Sequence, residues 1–103
     1  MIIYNKLVRD KIPEVIQAAG KTCTIEKISD NQKVISLLEE KFLEEWVEYQ
    51  EAKNVEEIAD LIEVLLSLSE RLGTSRDDLM KIIDQKAEKR GGFKEGIFLV
   101  SVD

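Results

Sequence analysis

Glu44-Glu45-Trp46-Val47-Glu48-Tyr49-Gln50-Glu51-Ala52-Lys53-Asn54-Val55-Glu56-Glu57-Ile58-Ala59-Asp60 is the stretch on which the fold turns. It contains two carboxylate pairs, Glu45-x-x-Glu48 and Glu57-x-x-Asp60. Each has the i, i+3 spacing that sets two side chains on one helix face. The pairs are mirror-related about a point between Ala52 and Lys53. A chain that folds back there brings Glu48 opposite Glu57 and Glu45 opposite Asp60. Four oxygen donors then converge, which is what a hard cation such as Mg²⁺ requires.

Whether the chain turns is the deciding question. No Gly or Pro lies between Gly20 and Gly73, and Asn54, as a helix N-cap, is the only local break signal. An unbroken helix would hold Glu45 and Glu57 roughly 18 Å apart at 1.5 Å per residue. They could not then share an ion. A helix of about 40 residues is rare in so short a chain, so length favours a hairpin. Only eight residues separate Glu48 from Glu57, so the turn must be tight.

Outward from the turn, Ser29-Asp30-Asn31 supplies N-cap chemistry for a helix from about residue 32 to 52. A second runs from about 55 to 72 and stops at Gly73. Thr74 or Ser75 caps a third, 76 to about 90, ending at Gly91-Gly92. Asn5 to Gly20 holds a short helix with Pro13 in its first turn. Residues 22–28 and 96–102 are rich in β-branched or apolar residues and read as strands that pair with each other. The expected fold class is mainly α: an antiparallel helical bundle in one domain, 1–103, with that small two-stranded β element.

The helical wheel sorts the acids. Val34, Ile35, Leu37, Leu38, Phe42, Trp46 and Tyr49 form one arc, with Glu45 and Glu48 inside it and Glu51 outside. On the next helix Glu57 falls between Val64 and Leu68, and Asp60 lies at the edge of the arc. Carboxylates on a core-facing stripe are costly unless neutralised. A divalent cation is one solution. Glu57 serving an Asn54 capping box, or the other acids pairing with Lys41 or Lys81, is another. Lys86 and Arg90 sit within the arc of Leu79, Ile82, Ile83 and Ala87. Pointing inward, they would neutralise the acids or grip phosphate oxygens. Lys6, Arg9 and Lys11 form another basic cluster, which spacing alone reads as surface charge.

Composition narrows the function classes. With 44% hydrophobic and 35% charged residues the chain reads as a soluble globular protein. A net charge of −6 argues against a nucleic-acid binder. The absence of His excludes His-based acid–base chemistry and, with Cys23 the sole cysteine, argues against zinc. No apolar run is long enough for a signal peptide or a membrane span, so no membrane partner and a cytoplasmic location are expected.

Taken in order, Glu44-Glu45-x-x-Glu48, Glu57-x-x-Asp60 and Lys86-x-x-x-Arg90-Gly91-Gly92-Phe93, preceded by Asn5-Lys6-Leu7-Val8-Arg9-Asp10-Lys11-Ile12-Pro13, resemble the MazG-like, all-α nucleoside triphosphate pyrophosphohydrolase superfamily. More narrowly they are similar to its phosphoribosyl-ATP pyrophosphohydrolase-like branch. The resemblance covers nearly the whole chain. It implies cleavage between the α- and β-phosphates of a nucleotide with Mg²⁺ (or Mn²⁺), releasing pyrophosphate. It implies metal ligation by Glu45, Glu48, Glu57 and Asp60, and an attacking water oriented by Glu44. It also implies phosphate contacts from Lys6, Arg9, Lys86 and Arg90. A homodimer or homotetramer is expected, from the breadth of the second helix's apolar arc and from the resemblance. Two other readings stay open: phosphoribosyl-ATP hydrolysis in histidine biosynthesis, and a non-catalytic helical module that binds a nucleotide or a partner helix.

Overall fold

The computed structural model describes all residues, 1–103, and is mainly helical: α1 (Ile12–Ala18), α2 (Asn31–Ala52), α3 (Val55–Arg71) and α4 (Arg76–Arg90). Local chemistry sets the boundaries. Asp30 accepts from the Gln32 N–H, Asn54 from the Glu57 N–H and Ser75 from the Asp78 N–H, each satisfying one orphan donor at a helix start. Pro13 sits in the first turn of α1, where its missing N–H costs nothing.

The turn between α2 and α3 needs neither Gly nor Pro. Lys53 takes the left-handed conformation, φ +53°, and its N–H closes on the Tyr49 carbonyl at 2.7 Å. Its ammonium lies 5.2 Å from the Tyr49 ring centre, a cation–π contact that helps hold this uncommon geometry. The far end of the hairpin is also tied, because the Asn31 side-chain amide donates to the Arg71 carbonyl at 3.1 Å. The tight turn at one end and this bond at the other set the register of α2 against α3.

Along the inside of the hairpin the chemistry changes with height. At the end remote from the turn, Val34, Leu38 and Val64 form the buried cluster, with Leu7, Ile28, Phe42 and Leu68 packed on it. Nearer the turn the same stripes carry Lys41 and Glu45 on α2 and Glu57 on α3. The spacings 34/38/41/45 and 57/61/64/68 both follow the helical repeat, so one face runs from apolar to charged.

Two expectations are corrected. Residues 22–28 and 96–102 form no strand. A lone two-stranded ribbon is marginal without a surface to cover, and Ile97, Phe98, Leu99, Val100 and Val102 pack on nothing in this chain. Second, α4 adjoins α3 but buries no residue, so Lys86 and Arg90 point into no core. Their apolar neighbours Ile82 and Ile83 are exposed, and α4 is packed on no helix but α3.

The chain is extended, measuring 61 × 32 × 23 Å with a radius of gyration of 17.9 Å. About 13 Å is usual for a compact chain of this length. Only six residues are buried: Val34, Leu38, Leu61, Val64, Leu66 and Glu45. No helix is long and apolar enough to cross a membrane.

Candidate metal centre

One member of that small buried set is a carboxylate. Glu45 is 7% exposed, and its Oε2 has no hydrogen-bond partner. Glu57 Oε2 is likewise buried and unpartnered. The capping geometry explains why Glu57 is available. Its backbone N–H is held by Asn54, but its side chain does not reach back to the cap and is left inside the hairpin. The capping box that is the alternative role for Glu57 is therefore only half made.

Glu45, Glu57 and Asp60 each offer a carboxylate oxygen within 4.8 Å of the others. Two helices supply them, so the fold-back at Lys53 is what assembles the group. Glu48 is exposed and stands outside it, although its carboxylate lies beside that of Glu45. Burial, and then the neighbouring Glu48 carboxylate, push the Glu45 pKa up from the ordinary carboxylate range. An acid in that position favours a proton or another cation.

Three cations already attend the group. Lys41, half-buried on the same stripe, lies 3.4 Å from Glu45 Oε1 and 3.5 Å from Glu44 Oε1. Lys6 donates to Glu44 at 2.9 Å and Arg9 to Asp60 at 2.7 Å. The hydrogen bond and charge of Lys6 hold Glu44 below the usual carboxylate range, and Glu44 in turn raises Lys6. Both N-terminal cations come from an irregular strap, residues 1–11. It is anchored where Leu7 packs on the core and where the Arg9 carbonyl accepts from the Ile12 N–H at 3.0 Å.

Measured against the sequence, Glu45, Glu57 and Asp60 come together and Glu48 flanks them. Lys6 and Arg9 reach across to the acids. Lys86 and Arg90, exposed on α4, make no ion pair or hydrogen bond with any acid of the group. Lys81, one alternative partner for the acids, pairs with Asp78 instead at 3.9 Å. The residue underweighted by the sequence is Lys41. Its signal was present, since it precedes Glu44 and Glu45 by three and four positions, the spacing of helical ion pairs.

No protein-family model, curated protein or solved structure matches the chain. The resemblance to the MazG-like superfamily therefore rests on the motif residues alone.

Proposed function

We propose that the hairpin is a divalent-cation centre and that the protein is a Mg²⁺-dependent nucleotide pyrophosphohydrolase of MazG-like type. The observation that carries this reading is the unpartnered buried oxygens of Glu45 and Glu57, beside Asp60. A buried polar atom without a partner costs about 1–3 kcal/mol, and a native fold retains one where something else satisfies it. The donor set fits Mg²⁺ or Mn²⁺: all oxygen, all anionic, with no nitrogen or sulfur ligand nearby. Glu45, Glu57 and Asp60 would hold the ion, with Glu48 as a flanking ligand.

When bound, such a cation supplies Lewis acidity toward a phosphoryl oxygen. The remaining work falls to the chain. Glu44, fixed by Lys6 and Lys41 and kept ionised, would orient the attacking water by accepting its hydrogen bond. Lys6 and Arg9 would neutralise charge on the departing pyrophosphate. Lys86 and Arg90 would contribute to phosphate binding from α4, which in one chain does not approach the acids.

A homodimer or homotetramer belongs to the same reading. The surface of one chain is 9373 Å², whereas about 5,900 Å² is usual for its mass. The excess of about 3,500 Å² exceeds the share of roughly 1,000–2,500 Å² that one protomer gives to an obligate dimer. An apolar groove along Phe42, Leu43, Leu65 and Leu68 is one candidate contact. Leu65→Glu should lower the mass seen by sedimentation equilibrium.

The deciding assay is pyrophosphate release from canonical, deoxy and damaged nucleotides and from phosphoribosyl-ATP, with and without Mg²⁺. Turnover that needs Mg²⁺ and vanishes in Glu45→Gln and Asp60→Asn supports the proposal. Undiminished turnover in both variants removes these acids from the mechanism. The competing non-catalytic module predicts nucleotide binding, or assembly alone, with no release for any substrate.

A further inference from the structure

Arg9 and the divalent ion need the same carboxylate. The Arg9 guanidinium donates to Asp60 Oδ1 at 2.7 Å, and Asp60 is one of the three clustered acids. We propose that Arg9 is an exchange residue, holding Asp60 while the centre lacks its ion and passing to a phosphate oxygen when cation and polyphosphate arrive together. This inference rests on the metal-centre reading above.

The geometry suits a side-chain exchange without loss of the strap. Leu7 is packed on the core and the Arg9 carbonyl is tied to Ile12, so the backbone on both sides of Val8 is pinned. The Arg9 side chain is 57% exposed and free to sweep. A guanidinium also fits either acceptor, since carboxylate and phosphate both match its planar fork. Lys6, on the same strap, is bound to Glu44 on the other helix, so the two cations straddle the acids.

The consequence is a preference for the pair of ligands over either one. A polyphosphate alone meets the carboxylates of Glu45, Glu48, Glu57 and Asp60 and is repelled. A cation alone draws on the Asp60 charge that holds Arg9, so it weakens that pair and gives the guanidinium no anion in return. Together each offsets the other's cost, because the ion screens the acids from the polyphosphate and the polyphosphate gives Arg9 a new acceptor. Binding of one should therefore strengthen binding of the other by the same factor in either order.

The test is Mn²⁺ titration followed by electron paramagnetic resonance, with full-length protein and with or without inorganic pyrophosphate. Arg9→Ala removes an exposed side chain and should leave the fold unaltered. It should bind Mn²⁺ alone about three- to fivefold more tightly, the scale of one exposed ion pair. It should also lose most of the enhancement that pyrophosphate gives the wild type. Lys11→Ala, which removes a neighbouring charge that pairs with no acid, should change Mn²⁺ affinity by less than about 1.5-fold. Equal gains in both variants would assign the effect to diffuse charge and overturn the exchange. Unchanged or weaker Mn²⁺ binding in Arg9→Ala would overturn it too. Absence of Mn²⁺ binding in the wild type would remove the metal centre itself, and the exchange with it.

Discussion

Replacing Glu45 by Gln should make the metal-free protein more stable while abolishing its response to metal. Glu45 has two clustered like charges, Glu57 and Asp60, within 4.8 Å, and one cation, Lys41, at 3.4 Å. At 4.8 Å each repulsion costs about 0.9 kcal/mol in water and about 3.5 kcal/mol at an effective dielectric of 20. The Lys41 attraction returns about 1.2 or about 5 kcal/mol on the same two scales. These two repulsions against one attraction leave the carboxylate worse by about 0.5–2 kcal/mol, before its burial and the adjoining Glu48 carboxylate add to the penalty. Gln keeps the shape, removes the charge and can donate to the unpartnered oxygen of Glu57. A gain of about 1 kcal/mol raises Tm by roughly 4–8 °C in a chain of this size. The assay is a thermal melt in EDTA at one fixed protein concentration, because assembly makes Tm concentration-dependent. It is then repeated with Mg²⁺ or Mn²⁺, where the wild type should gain stability and Glu45→Gln should not. A Tm lowered by a similar margin in EDTA would refute the reasoning, since it would mean the carboxylate is already satisfied in the fold.

Other perturbations separate fold from site. Lys53→Ile places a β-branched residue at φ +53° and should cost about 1–2 kcal/mol in urea unfolding, whereas Lys53→Gly should be nearly neutral. Asn54→Ala removes the cap of α3 and should cost about 1 kcal/mol. The same change frees the backbone beneath Glu57, so Mn²⁺ affinity should fall as well, by calorimetry. Leu38→Ala should cost about 2–4 kcal/mol and unfold much of the population, because the buried cluster is so small. Glu48→Gln should weaken metal binding less than Glu57→Gln, since Glu48 stands outside the clustered group; the reverse order would put Glu48 in the centre and Glu57 at its margin.

The four helices were legible because their signals are local. Asp30, Asn54 and Ser75 cap from within a few residues, and the apolar periods need no knowledge of a partner. The fold-back was legible only by elimination, from helix length. The left-handed Lys53 that makes it carries no sequence mark, since such a turn ordinarily shows Gly or Asn. The strands misled because apolar, β-branched composition describes a residue that fits a sheet, and neither segment has a sheet to join.

Which acids could share a face was decided by the sequence, through the helical repeat. Which of them meet was decided by tertiary structure. Glu45, Glu57 and Asp60 converge while Glu48, exposed, flanks them beside Glu45, because the hairpin's register fixes the distance between residues on different helices. The same holds for the cations. Lys41 follows from helical spacing, but the reach of Lys6 to Glu44 and of Arg9 to Asp60 spans 38 and 51 residues. Periodicity carries no information over that range, and it is tertiary packing, with Leu7 against the core, that lays the strap beside the acids.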